Sequence, residues 1–266
     1  MPNYIRGQDH GKYGDRSAHG GNAVKWFHAW MALTCLTVAV VGFAPTYFVP
    51  LAKGTFQAQT IIHIHGLAFF GWTAYFCFQT WLVAQGKTLK HRDWGMAGIA
   101  LATAMVFLVF ATVVVRVNYY DAHGYGHAAK VFSWVQVSGA LFFAVVIALA
   151  IANIRLPDVH KRLMLLATIS LLDAPIARWF AVLLSPPLAA GEIPSPPPVM
   201  VTVPPALLSD ILLIVAMVFD WRTRGKPHAV YVLGTIALVA LQVSRVPISG
   251  TEAWLAAADW IAALGR

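Results

Sequence analysis

The chain has 266 residues, of which 59% are hydrophobic and only 11% charged, with a mean hydropathy of +0.66. A soluble domain carries about 25% charged residues, so this composition excludes a water-soluble globular fold. The net charge of +8 would favour nucleic acid in a soluble chain; here the cations sit in short loops between apolar runs, where they meet headgroups, and no nucleic-acid partner is expected.

Residues 1–22 are basic and glycine-rich and read as a flexible cytoplasmic tail. They lack the pattern of a cleavable signal. Seven apolar stretches follow, at about 24–48, 57–85, 94–118, 129–153, 160–185, 204–221 and 228–247. Each is near or above the roughly 20 residues that cross a bilayer as a helix. Trp26, Trp30, Tyr47, Trp94, Tyr119, Tyr120, Trp221 and Tyr231 mark their ends, as an aromatic belt does. Cys35 and Cys77 fall inside apolar runs and read as packing residues. The fold class is therefore all-α: a polytopic bundle of seven transmembrane helices over 23–248, followed at 249–266 by a short amphipathic helix. That last helix is expected to lie on the outer leaflet, with Ser249 and Glu252 as its capping box.

Thirteen of the 19 Lys and Arg residues fall on one face if the N-terminus is cytoplasmic. Positive charge collects inside, so the expectation is an inner (cytoplasmic) membrane protein, N-terminus in and C-terminus out. On the outer side, Pro186 to Pro205 holds eight prolines. It reads as a semi-rigid connector or a cap over a cavity mouth.

Ions are costly in hydrocarbon and usually face a protein interior or a water cavity. His63 and His65 in the second stretch, Asp173 in the fifth and Asp210 in the sixth all fall roughly 10 Å below the outer surface at about 1.5 Å per residue. Arg178, Gln242 and Arg245 are in the outer part of their helices, and His127 precedes the fourth. This convergence predicts an outward-opening polar pocket of His63, His65, His127, Asp173, Arg178, Asp210 and Arg245. Asp173–Arg178 and Asp210–Arg245 are the expected ion pairs if the layer only fixes helix packing. His63 and His65 are the candidate metal ligands, although two residues apart on a helix they point to nearly opposite sides. His91, Arg92, His160, Lys161 and Arg162 read as topology signals at cytoplasmic ends.

The run His63-Ile64-His65-Gly66, with Trp72, Gln79, Leu89-Lys90-His91-Arg92 and Gly95, resembles a family of uncharacterised bacterial multi-pass membrane proteins. The segment His160-Lys161-Arg162-Leu163-Met164-Leu165-Leu166-Ala167-Thr168, Asp210 and Thr223-Arg224-Gly225 continue the pattern over about 57–230. The resemblance implies a membrane location and several helices, and no catalytic residues. A looser similarity is to diheme b-type membrane cytochromes, which hold haem between helices with His ligands. Those carry two His about four turns apart on one helix, and no helix here does. At most one haem is implied, on the outer side, with His63 or His65 opposite His127 or a residue of another helix.

Four functions fit these residues, the lowest-ranked being a membrane hydrolase or lipid-modifying enzyme in which His with Asp activates water or a bound metal. The first is a redox protein holding haem b, a transition metal or a quinone in the outer pocket, with Arg178 or Arg245 on a propionate or headgroup. The second is a proton-coupled transporter with His65, Asp173 and Asp210 as a relay. The third is a non-catalytic subunit or assembly factor that packs against other membrane subunits.

Overall fold

The computed structural model describes residues 14–184 and 193–265, with side chains from residue 25 onward. Every regular element among these is helical. In order they are α1 (Gly14–Phe43), a π-turn at Ala44–Phe48, α2 (Val49–Ala52), α3 (Thr60–Ala84), α4 (Thr88–Ala122) and α5 (Gly126–Ala152). Then come α6 (Pro157–Ile169), α7 (Asp173–Leu184), a 3-10 turn at Val199–Thr202, α8 (Val203–Ser209), α9 (Ile211–Arg224), α10 (Ala229–Ser249) and α11 (Glu252–Ala263). Seven spans are long and apolar enough to cross a membrane: α1 with α2, α3, α4, α5, α6 with α7, α8 with α9, and α10. The chain is a seven-span helical membrane bundle.

Large apolar side chains point outward as well as inward. Leu67 is 75% exposed and Phe107 70%, while Trp72 in the core is 1% exposed. An outward apolar surface of this extent suits lipid and not water. Inside, Trp72 donates its indole N–H to Thr168 Oγ1 at 3.2 Å and meets Phe143 edge-on. Met105, Leu165, Leu166, Ile169, Leu172, Leu213 and Leu238 complete that layer. Helix α5 packs on α4, α6 and α10, and α1 packs on α3, α6 and α7.

Three spans are interrupted, two of them at proline. Pro45 has no N–H for the Val41 carbonyl four residues back, and the Trp179 indole of α7 donates to that carbonyl at 3.0 Å. Pro175 likewise frees the Leu171 carbonyl. The fifth span breaks there into α6 and α7 through Ser170–Leu172, with tight bonds Leu171 N to Thr168 O and Leu172 N to Ile169 O. The sixth span breaks at Asp210, whose carbonyl accepts from both Leu213 N (2.9 Å) and Ile214 N (3.2 Å). Ser209 adds a bond to the Ala206 carbonyl at 2.6 Å. Pro175 lies inside the fifth apolar stretch, where its missing N–H interrupts the helical bonding, and a new helix starts beside it at Asp173.

Gly42 lets α1 and α7 meet. A Cβ there would lie 2.4 Å from Pro175 Cβ and 2.6 Å from its carbonyl oxygen. Gly42→Ala should therefore cost about 1–3 kcal/mol, the usual range for overpacking. Gly71, where an added methyl would meet nothing within 4 Å, is the control. A thermal midpoint in detergent unchanged by Gly42→Ala would contradict this packing.

The last helix forms, but it is not simply laid on lipid. Trp254, Ala258, Ile261 and Ala262 are buried against α4 and α5. The Trp254 indole donates to the Lys130 carbonyl, Asn118 donates to the Ala262 carbonyl, and Lys130 pairs with Asp259 at 2.8 Å. Its N-cap is Thr251, whose Oγ1 accepts from Trp254 N; Ser249, the expected cap, ends α10 instead. Residues 1–13 of the expected tail and 185–192 of the proline-rich connector lie outside the described residues.

Candidate functional site

The end of the bundle carrying the α3–α4, α5–α6 and α9–α10 connections is its basic end; the opposite one is its distal end. In the distal half, both helix breaks deliver an aspartate to α10. Asp173 opens α7 and accepts from Arg245 Nη1 through Oδ2 at 2.9 Å. Asp210, at the second break, accepts from Gln242 Nε2 through Oδ1 at 3.4 Å. Gln242 and Arg245 are three apart on α10 and so share a face. Both are 1% exposed, and Asp210 is 4% exposed. Arg245 stands within electrostatic range of Asp210 as well as Asp173. The pairing expected from sequence, Asp173 with Arg178 and Asp210 with Arg245, is corrected. Arg178 lies five residues beyond Asp173, which on one helix carries it well around the axis.

Three polar atoms in this layer are buried without a partner: Asp210 Oδ2, Gln242 Oε1 and Arg245 Nε. Two are acceptors on the pair already joined by one hydrogen bond. The third is a donor.

The histidines of α3 take separate partners. His63 Nδ1 is 3.0 Å from the Tyr47 hydroxyl and also meets Phe56 edge-on. His65 stacks on Phe69 at 4.2 Å, has a buried and unpartnered Nδ1, and feels the charge of Arg178. Arg178 lies over the Phe43 ring and within electrostatic range of Arg116, which sits over Tyr120. Neither arginine has an acidic partner among the described residues. His127 is exposed, with no ring or hydrogen-bond contact to His63 or His65. Among the described residues no three His, Cys, Asp or Glu side chains gather as a metal-holding group. A groove of about 340 Å³ between α1, α7 and α8 is lined by Thr37, Val41, Trp179 and other apolar side chains. Thr37 and Trp179 already donate to the Leu33 and Val41 carbonyls, so the groove offers a quinone no free donor from either.

Sequence reasoning missed a second buried cluster at the basic end. Arg162, read as a topology signal, is 2% exposed and holds Asp220, also 2% exposed, in a two-pronged pair at 2.8 and 2.5 Å. Its Nη1 also donates to the Asp158 carbonyl and carboxylate, and Tyr231 lies under the guanidinium. Asp158 gathers Lys161 and Arg224 as well. Asp158, Lys161, Arg162, Asp220 and Arg224, with His28, Phe219 and Thr223, line a cleft of about 210 Å³. The signal was the lone Asp220 among the last apolar residues of its span.

His228, just outside the span, caps α10: its Nδ1 accepts from Val230 N at 3.2 Å. Burial first, then the Arg162 and Arg224 cations, hold its pKa below the ordinary 6.5. As pH falls the unfolded chain protonates first, so stability is lost below pH 6.5 until the folded ring titrates too. His228→Asn keeps a capping side chain and removes this titration. Its thermal midpoint should fall less than wild type between roughly pH 7 and 5; equal falls would contradict the assignment.

No family model, curated protein or solved structure matches the chain.

Proposed function

We propose that the protein is a proton-coupled transporter in which Asp210 is the proton-binding group. The reading places it in the bacterial inner membrane with the basic end cytoplasmic, by the distribution of Lys and Arg. The observation that carries it is the distal layer of two carboxylates and one guanidinium. Ionised, Asp173, Asp210 and Arg245 leave one uncompensated negative charge inside a membrane bundle, which is strongly unfavourable. One proton restores neutrality. Asp173 already holds Arg245, so the proton belongs to Asp210. There it satisfies both orphan acceptors at once: Oδ2–H donates to Gln242 Oε1 while Gln242 Nε2 donates to Oδ1, a closed acid–amide pair.

The same layer contains its own exchange. When Asp210 loses the proton, Arg245 Nε, unpartnered in this arrangement, is the donor available to it. Arg245 is then shared between two carboxylates that sit at breaks in different spans. Broken helices meeting at a buried ion site are a recurring feature of secondary transporters. Arg178 and Arg116, without acidic partners among the described residues, favour an anionic solute approaching from the distal side.

A redox centre is supported less well. His63 is tied to Tyr47, His65 lies on Phe69, and His127 approaches neither, so no opposed ligands bracket a haem there.

The test is uptake of small carboxylates into proteoliposomes under an imposed pH gradient. Wild type should accumulate solute and carry protons inward with it; Asp210→Asn should lose gradient-driven accumulation. Accumulation unaffected by Asp210→Asn, or no proton movement with any carboxylate, would overturn the proposal.

A further inference from the structure

Two histidines at the basic end are held in a manner that the proton-coupled reading does not use. His91 lies in the first turn of α4 and His160 in the first turn of α6. Their ring centres are 6.3 Å apart, with planes at 70°.

Their protonation pattern follows from their partners. Gln79 donates its Nε2 to the Tyr75 hydroxyl, which in turn donates to the Trp94 carbonyl. Gln79 Oε1 is thus an acceptor, and His91 Nδ1, 2.6 Å away, donates to it. His160 Nδ1 lies 2.8 Å from the Ala150 carbonyl, which can only accept. In a neutral imidazole whose Nδ1 carries the hydrogen, Nε2 carries a lone pair. Both Nε2 atoms are without a hydrogen bond among the described residues.

Imidazoles that ligate metals are oriented in this way, with the far nitrogen donating to a carbonyl or carboxyl-type oxygen. The separation also suits one ion between them. Nitrogens about 2.0–2.1 Å from a shared ion are about 4 Å apart, and the ring centres about 6 Å apart.

We propose that His91 and His160 form a two-histidine site for a late first-row transition metal, copper ahead of zinc. The order follows from the general affinity of nitrogen ligands for divalent metals. No third His, Cys, Asp or Glu joins them among the described residues, so the remaining positions stay open to water or small anions. Such a site exchanges its ion. Lys90, Arg92 and Lys161 flank the two ligands in sequence and weaken the hold on a dication. Helices α4 and α6 belong to different spans, so an ion here cross-links two parts of the bundle that are distant in the chain.

The test uses the full chain in detergent, stripped with chelator and titrated with Cu(II) and with Zn(II), with a His10→Ala/His19→Ala form to remove tail histidines. One equivalent of Cu(II) should bind, and its electron paramagnetic resonance spectrum should show imidazole nitrogen couplings. Gln79→Leu should weaken binding about 10–100-fold, the usual effect of removing an outer-shell partner. His91→Ala and His160→Ala should each abolish the site, while His63→Ala leaves it intact. Should the alanine variants not fold, modification of wild type by diethylpyrocarbonate decides: bound copper must protect His91 and His160. Copper binding that persists in the folded alanine variants, its absence from wild type, or modification unaffected by copper would overturn the proposal.

Discussion

Arg162→Ala is expected to cost about 3–5 kcal/mol of stability, the range for breaking one side of a buried ion pair. The reason is what the substitution leaves behind. Asp220 is 2% exposed and draws on Arg162 through two hydrogen bonds. With the guanidinium gone its remaining hydrogen bond is the one from His228 N at 3.2 Å, and the carboxylate must either hold a buried charge or take up a proton. Asp220→Ala is milder, because Arg162 keeps the Asp158 carbonyl and carboxylate. The double variant Arg162→Met/Asp220→Leu should recover much of the loss, since apolar pairs of similar volume often replace buried ion pairs at little cost. Unfolding in mixed detergent, run as a double-mutant cycle, reads this directly. A single-variant loss below about 1 kcal/mol, the range of exposed pairs, would show that the pair does not hold α6 to α9.

Arg245→Leu is expected to be equally severe, with a different consequence. Arg245 joins α10 to α7 through Asp173 and lies beside Gly139 of α5. Its removal leaves two carboxylates in the distal layer with no cation, again costing about 3–5 kcal/mol. Neutrality then requires a second proton, on Asp173. Arg245→Leu/Asp173→Leu removes that requirement and should restore most of the stability, leaving Asp210 as the only acid in the layer. Arg245→Lys should not substitute, because an ammonium that holds Asp173 has no second, separately placed donor such as Nε to offer Asp210. Denaturation midpoints of the three variants against wild type test this; equal losses in the single and double variants would contradict the shared-charge account.

The seven spans were legible because their apolar runs are near or above the length that crosses a bilayer and their ends carry aromatic and basic residues. The distal layer was legible in part. Asp173, Asp210 and Arg245 each interrupt an apolar run, and depth counting put them at one level. Who pairs with whom was not legible, because it depends on helix rotation and on breaks that shift the register after Ser170 and at Asp210. The Arg162–Asp220 pair was hidden because both residues sit near span ends, where charge ordinarily means lipid headgroups. For α11 the stripe Trp254, Ala258, Ile261 and Ala262 was readable as apolar, but a stripe alone does not say whether lipid or α4 and α5 will cover it.

The proton of Asp210 is read most directly by infrared difference spectroscopy of the purified chain in lipid. Wild type near neutral pH should show a carboxylic-acid C=O stretch that shifts in D₂O, disappears in Asp210→Asn and moves in Gln242→Leu. Absence of that band in wild type, or its persistence in Asp210→Asn, would contradict the claim that a proton joins Asp210 to Gln242.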